Sequence, residues 1–226
     1  MNYTLVFHIL GLILRVEAVL MLPAAVIGIA TRGGDGSAFL LAAGITLAVG
    51  QALVMLPAKN VKMQARDGFA AVALCWITLS LSGALPYVFS GVLPNYVDAV
   101  FETASGFTTT GATVLTFIEG QPNSVLFWRA QTQWMGGVGV LVLALALVPK
   151  LGEGSVYLMR AESPGPIKSK LTPRIGDTAK ILYSIYIGLT VGEVLCLRIA
   201  GMPWFDAVIH AFTTISTGGF SVKNAS

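Results

Sequence analysis

The chain has 226 residues, of which 55% are apolar and only 11% charged, with a mean hydropathy of +0.77. A soluble domain carries about 25% charged residues, so an ordinary water-soluble fold is excluded. A net charge of +3 gives no reason to expect nucleic acid as a partner, and two cysteines make neither a disulfide framework nor a metal site.

In chain order, charge-poor runs fall at residues 5–30, 38–56, 69–91, 125–148 and 181–200. Each is close to the ~20 residues that a membrane-spanning helix needs. The first has no basic head and too long an apolar stretch for a signal peptide. Cys75 and Cys196 both fall inside spans. The predicted fold is an all-α integral membrane protein embedded in lipid. Lys59, Lys62 and Arg66 share one connection, and Lys150, Arg160, Lys168, Lys170, Arg174 and Lys180 share another. Those nine hold most of the fourteen Lys and Arg, which makes both connections cytoplasmic. One span leads out from the first basic loop and one leads back to the second. Residues 92–124 therefore begin and end outside, and the apolar stretch 101–114 is expected to re-enter the membrane.

A repeat supports that expectation. Tyr96-Val97-Asp98-Ala99-Val100 returns 108 residues later as Trp204-Phe205-Asp206-Ala207-Val208. Phe107-Thr108-Thr109-Thr110-Gly111-Ala112-Thr113-Val114 returns as Ile215-Ser216-Thr217-Gly218-Gly219-Phe220-Ser221-Val222. Each copy is a short apolar segment, about a dozen residues long, followed by hydroxyls and glycine. At ~1.5 Å per residue such a segment cannot cross a ~30 Å hydrocarbon core. Irregular backbone at membrane depth survives only where protein covers it or it lines a water-filled cavity. The pattern is that of an ion-selective pore loop, in which backbone carbonyls replace the hydration shell of an ion. Glycine reaches the backbone angles this requires without steric penalty, and Gly111 and Gly219 are equivalent. Thr108, Thr109 and Thr110, with Ser216, Thr217 and Gly218, supply the neighbouring carbonyls. Each short helix enters from outside, so its partially negative C-terminal end faces mid-membrane and favours a cation.

Other residues carry two readings each. Glu102 and His210 are equivalent in the repeat and lie within the short helices; a polar contact behind the loop is expected ahead of ion binding. Asp98 and Asp206 are expected to cap their helices. Arg15 and Glu17, two residues apart, share no helix face and are expected to find partners on other helices or at the interface. Gly136, Gly137 and Gly139 read as close packing, with a hinge as the alternative. Arg129 reads as an interfacial residue that snorkels. Asn224-Ala225-Ser226 matches a glycosylation sequon too short to carry weight.

Three segments together resemble the Trk/Ktr/HKT potassium transporter superfamily, and within it the membrane subunits of bacterial Trk systems. They are Phe107 to Val114, the run Phe127-Trp128-Arg129-Ala130-Gln131-Thr132-Gln133-Trp134-Met135-Gly136-Gly137-Val138-Gly139, and Ser163-Pro164-Gly165-Pro166 with Lys170-Leu171-Thr172-Pro173-Arg174. The resemblance covers the whole chain. It implies helix–pore loop–helix units around a pseudo-fourfold pore, preceded by two extra helices. Here residues 1–57 supply the extra helices, 69–148 the first unit, 149–180 a cytoplasmic loop, and 181–226 the start of a second unit. It implies potassium uptake across the bacterial cytoplasmic (inner) membrane, with K+ bound at the filter residues and no cofactor. It also implies a homodimer and a cytosolic nucleotide-binding regulatory subunit docked on the Pro-Gly-Pro side. That pore takes four filter segments and this chain holds two, so a fragment needing the remaining half of the transporter is expected, or else two copies supplying four loops. The alternatives are a non-conducting fragment and a membrane enzyme using Glu102, His210 and Glu193 as acid–base groups. The latter lacks the convergent, differently tuned groups an enzyme needs.

Overall fold

The computed structural model describes residues 3–31, 35–56, 65–139 and 175–224. Most of the basic residues assigned to cytoplasmic loops lie outside these segments, as do the Pro-Gly-Pro stretch and the end of the fourth expected span, residues 140–148. Among the described residues all regular structure is helical. Four stretches are long and apolar enough to cross a membrane: Tyr3–Ala30, Gly36–Val54, Ala70–Phe89 and Lys180–Ile199.

Two of the expected spans are broken rather than continuous. The first divides into α1 (Tyr3–Leu20) and α2 (Leu22–Ala30), with Pro23 in the first turn of α2. The third divides into α4 (Ala65–Gly83) and α5 (Leu85–Phe89), where Pro86 takes the same position. Proline lacks the N–H that would continue the ladder and its ring crowds the preceding turn, so the helix restarts around it. At the second break the Tyr87 N–H bonds the Ala84 carbonyl. The Gly83 carbonyl is taken instead by the Trp128 indole N–H at 3.0 Å. A bond across helices thus satisfies a buried group that the kink set free.

Between the two breaks lies α3 (Gly36–Val54), which packs along α1 and against α2 and α5. The short helices are α6 (Tyr96–Phe107) and α9 (Trp204–Ile215), twelve residues each. Between them in sequence come α7 (Asn123–Val138) and α8 (Ile175–Ile199). The fourth expected span, residues 125–148, is described only over its first part. Its described part, α7, has sixteen residues, and at ~1.5 Å each these reach ~24 Å, less than a hydrocarbon core. Nor is it apolar, since Arg129, Gln131, Thr132 and Gln133 are all buried along it. Helix α7 packs against α6, α9 and α2, and so touches both short helices. Its polar side chains are directed at protein. By contrast α8 keeps Ile185, Leu189, Val191 and Leu195 exposed.

The core joins α1 to α7. Phe39 meets Trp128 edge-on with ring centroids 6.4 Å apart. Glu17, buried on α1, accepts a short hydrogen bond from the Ser82 hydroxyl of α4. The expectation that this intramembrane carboxyl seeks another helix is met. Neither cysteine forms a disulfide among the described residues; Cys75 is buried and Cys196 exposed.

Candidate functional site: two paired loops and the helix behind them

The loops following α6 and α9 leave their helices by the same route. Thr109 N–H bonds the Gly106 carbonyl and Thr110 N–H bonds the Ser105 carbonyl, both at 2.9 Å. In the second copy Thr217 N–H bonds Thr214 at 2.9 Å and Gly218 N–H bonds Thr213 at 2.8 Å. These are the paired bonds of a Schellman motif, which satisfies carbonyls that a helix end would otherwise strand. The motif needs a left-handed residue, usually glycine. Here the position holds threonine, at φ 55° for Thr109 and 56° for Thr217. A β-branched residue in that region costs about 1–2 kcal/mol. Such strain, repeated at equivalent places, is typical of a functional site. Two residues on, Gly111 (φ 76°) and Gly219 (φ 84°) take positive angles that glycine adopts freely. Each loop then closes with a hydroxyl turn: Thr113 Oγ1 accepts from Leu115 N–H at 3.1 Å, and Ser221 Oγ from Lys223 N–H at 3.0 Å.

The loops lie against one another. A Cβ on Gly111 would run into the Gly218 carbonyl oxygen. All eight residues expected to line an ion path are therefore in one region, but they differ in cover. Thr108 and Thr110 are exposed with Thr109 and Gly111 half-buried, whereas Ser216 and Gly218 are buried and Thr217 and Gly219 exposed. Thr108 Oγ1 donates back to the Ala104 carbonyl at 2.7 Å and lies 2.8 Å from Thr110 Oγ1.

Behind the first loop sits a buried ion pair. Arg129 Nε donates to Glu102 Oε1 at 2.7 Å, with both side chains essentially inaccessible. Glu102 also accepts from the Thr113 hydroxyl at 2.8 Å and the Val114 N–H at 3.0 Å. Arg129 Nη2 donates to Thr113 Oγ1 at 3.1 Å. The carboxylate is thus held by three donor groups, which a buried charge requires. Glu102 is a polar contact behind the loop. Arg129 is not a snorkelling residue: its guanidinium points inward, at the pair and at the Phe220 ring, whose centroid is 4.1 Å away. Equivalent His210 is only half-buried.

The expected caps are also corrected. Asn95 caps α6, its side chain accepting from Val97 N–H at 3.1 Å. Pro203 precedes α9 without a side-chain cap. Asp98 and Asp206 stand in the first turns, where they complement the helix dipole. The glycines of α7 are packing residues. A Cβ on Gly136 would enter the Phe107 carbonyl, and one on Gly137 would lie 2.8 Å from Ser216 Cα. Sequence reasoning gave no role to Gln133, whose Oε1 accepts from Phe220 N–H at 3.1 Å. The only signal for it was a polar residue inside a span. Asn224, passed over as part of a sequon, accepts from Ile118 N–H at 2.7 Å and ties the end of the second loop to the segment after the first.

Apolar spanning helices around two duplicated helix–loop units define a multi-pass membrane transport protein. Residues 35–226 match the TrkH family of cation transport proteins, and the chain belongs to that family. It is 46% identical over its full length to the Trk system potassium uptake protein TrkH of Halomonas elongata, covering 48% of that protein. The TrkH of Escherichia coli K12 is 43% identical, with 47% of its length covered. The crystal structure of the potassium transporter TrkH from Vibrio parahaemolyticus superposes with a TM-score of 0.82 at 37% identity, over all of this chain and 46% of that one. The chain spans about half the length of the curated relatives it matches. Membership in a transport family removes the enzyme alternative built on Glu102, His210 and Glu193.

Proposed function

We propose that this chain supplies two of the filter segments of a Trk-type potassium uptake pore in the bacterial cytoplasmic membrane. Thr108, Thr109, Thr110 and Gly111 form one segment and Ser216, Thr217, Gly218 and Gly219 the other, each presenting backbone carbonyls to K+. The observation that carries this reading is the juxtaposition of two loops with the same strained left-handed threonine and the same positive-φ glycine. The short helices end at the loops, so their negative poles face the same region. The remaining loops of a ring come from the rest of the transporter; a homodimer and a nucleotide-binding cytosolic subunit complete the proposed assembly.

Gly219→Ser, or Gly111→Ser, in a complete four-loop pore tests it. A side chain at φ near +80° strains the backbone that aims the carbonyls, and a change of ~1.4 kcal/mol in relative ion binding is a factor of ten. Potassium-over-sodium discrimination is expected to fall about tenfold, read as growth of uptake-deficient cells at limiting potassium with sodium competing. Unchanged discrimination in both variants overturns the filter assignment.

A further inference from the structure

We propose, on the filter reading above, that α7 is a clamp across the two loops, with Gln133 and Arg129 acting as positioning residues for the second loop through Phe220. Phe220 directly follows Gly219 and is 3% exposed. It is held at two points from the same helix. Its backbone N–H donates to Gln133 Oε1 at 3.1 Å, and its ring faces the Arg129 guanidinium at 4.1 Å. An N–H can only donate, so that bond fixes which end of the Gln133 amide is oxygen. The Gln133 Nε2 is then aimed at the seam between the loops. It lies 3.7 Å from where a Gly111 Cβ would stand and 2.6 Å from the corresponding Gly218 position. It is buried and makes no hydrogen bond among the described residues.

The other end of the clamp is anchored in the first unit. Arg129 is fixed by Glu102 and by Thr113, which closes the first loop. A guanidinium held by a carboxylate keeps its plane, and a planar cation over an aromatic face is a directional contact. The position of Phe220, and with it the backbone of Gly218 and Gly219, is thereby referred to the first loop through one rigid helix. Ion discrimination requires carbonyls from different loops to be placed relative to one another, and this linkage supplies that relative placement. A polar residue that merely fills the core would stabilise the fold without touching discrimination. The two roles differ in what they move.

The test compares Gln133→Met and Phe220→Leu in the complete pore, with Gly219→Ser as the reference. Methionine nearly matches glutamine in volume but offers no strong acceptor to the Phe220 N–H. Leucine removes the ring while leaving the Glu102–Arg129 pair and the amide intact. Potassium and sodium uptake are measured per folded transporter in the membrane. Losing one hydrogen bond or one cation–π contact corresponds to about a fivefold effect. The expected result is a fall of that size in potassium-over-sodium discrimination for each variant, with a raised KM for potassium and a maximum rate changed less than about twofold. Phe220→Leu decides the matter if Gln133→Met does not reach the membrane. Wild-type discrimination in the folded variants, or a proportional loss of both ions, overturns the clamp while an altered Gly219→Ser leaves the filter standing. Unchanged discrimination in Gly219→Ser as well overturns the filter reading itself.

Discussion

Thr109 and Thr217 hold the same left-handed angle to within a degree, yet the ground behind them is unlike. Under the first loop lies a carboxylate–guanidinium pair with hydroxyl and backbone donors around it. At the equivalent place under the second is a half-buried histidine, and the support comes sideways, from Gln133 and Arg129 of α7. The backbone path repeats because its causes are local: a helix end, a left-handed residue, a glycine and a hydroxyl turn, all within eight residues. Within this chain the backing does not repeat, because it depends on which helices reach each loop. Within this chain α7 serves both loops, from behind the first and from the side of the second.

The comparison breaks most visibly at its charged end. Removing one member of a buried pair strands the other charge, at about 3–5 kcal/mol. Glu102→Gln or Arg129→Met is therefore expected to cut folded transporter sharply, while His210→Ala costs under about 1 kcal/mol. Thermal unfolding in detergent measures this, and replacing both charges with methionine should recover much of the loss. Equal costs at Glu102 and His210 would show that the pair does not support the first loop.

A smaller difference is expected at the closing hydroxyls. Thr113→Val deletes contacts to both charged groups, at about 1.5–3 kcal/mol, whereas Ser221→Ala deletes one backbone contact, at about 0.5–1.5 kcal/mol. The same unfolding assay ranks them, and a reversed order would locate the main support under the second loop. Where the copies agree, the effects should agree. Thr109→Gly and Thr217→Gly each relieve left-handed strain of about 1–2 kcal/mol, offset by the ~0.5–1 kcal/mol that glycine's greater freedom costs. A net gain of up to ~1.5 kcal/mol is expected, matched in the two variants. A gain at only one of them would mean that the shared angle is strained by different surroundings.

Much of the fold is legible without coordinates because hydropathy and length are local properties. The lengths of α6 and α9 and their repeat follow directly, and so in retrospect do the breaks, since Pro23 and Pro86 stand inside the runs read as continuous. Arg129 is not legible in that way. A lone arginine near the end of an expected span looks like any snorkelling side chain, and its partner lies 27 residues away on another helix. Nothing in periodicity pairs them. Gln133 stood inside a quoted motif without a role, because the group it serves, the Phe220 N–H, is 87 residues distant. The left-handed threonines were missed for a different reason. Turn rules assign such angles to glycine, and here the glycine follows two residues later with its own positive φ.

Gly136 and Gly137 have a mechanical consequence. They are neighbours on α7, so they point ~100° apart, one against the Phe107 carbonyl and the other against Ser216. A one-residue screw step of α7, ~1.5 Å along its axis with ~100° of turn, would carry Met135 or Val138 into a space that admits no methyl group. Rotation meets the same obstacle. This part of the helix is locked against the two helix–loop units on either side of it. A movement of this stretch of α7 therefore carries the ends of both short helices with it.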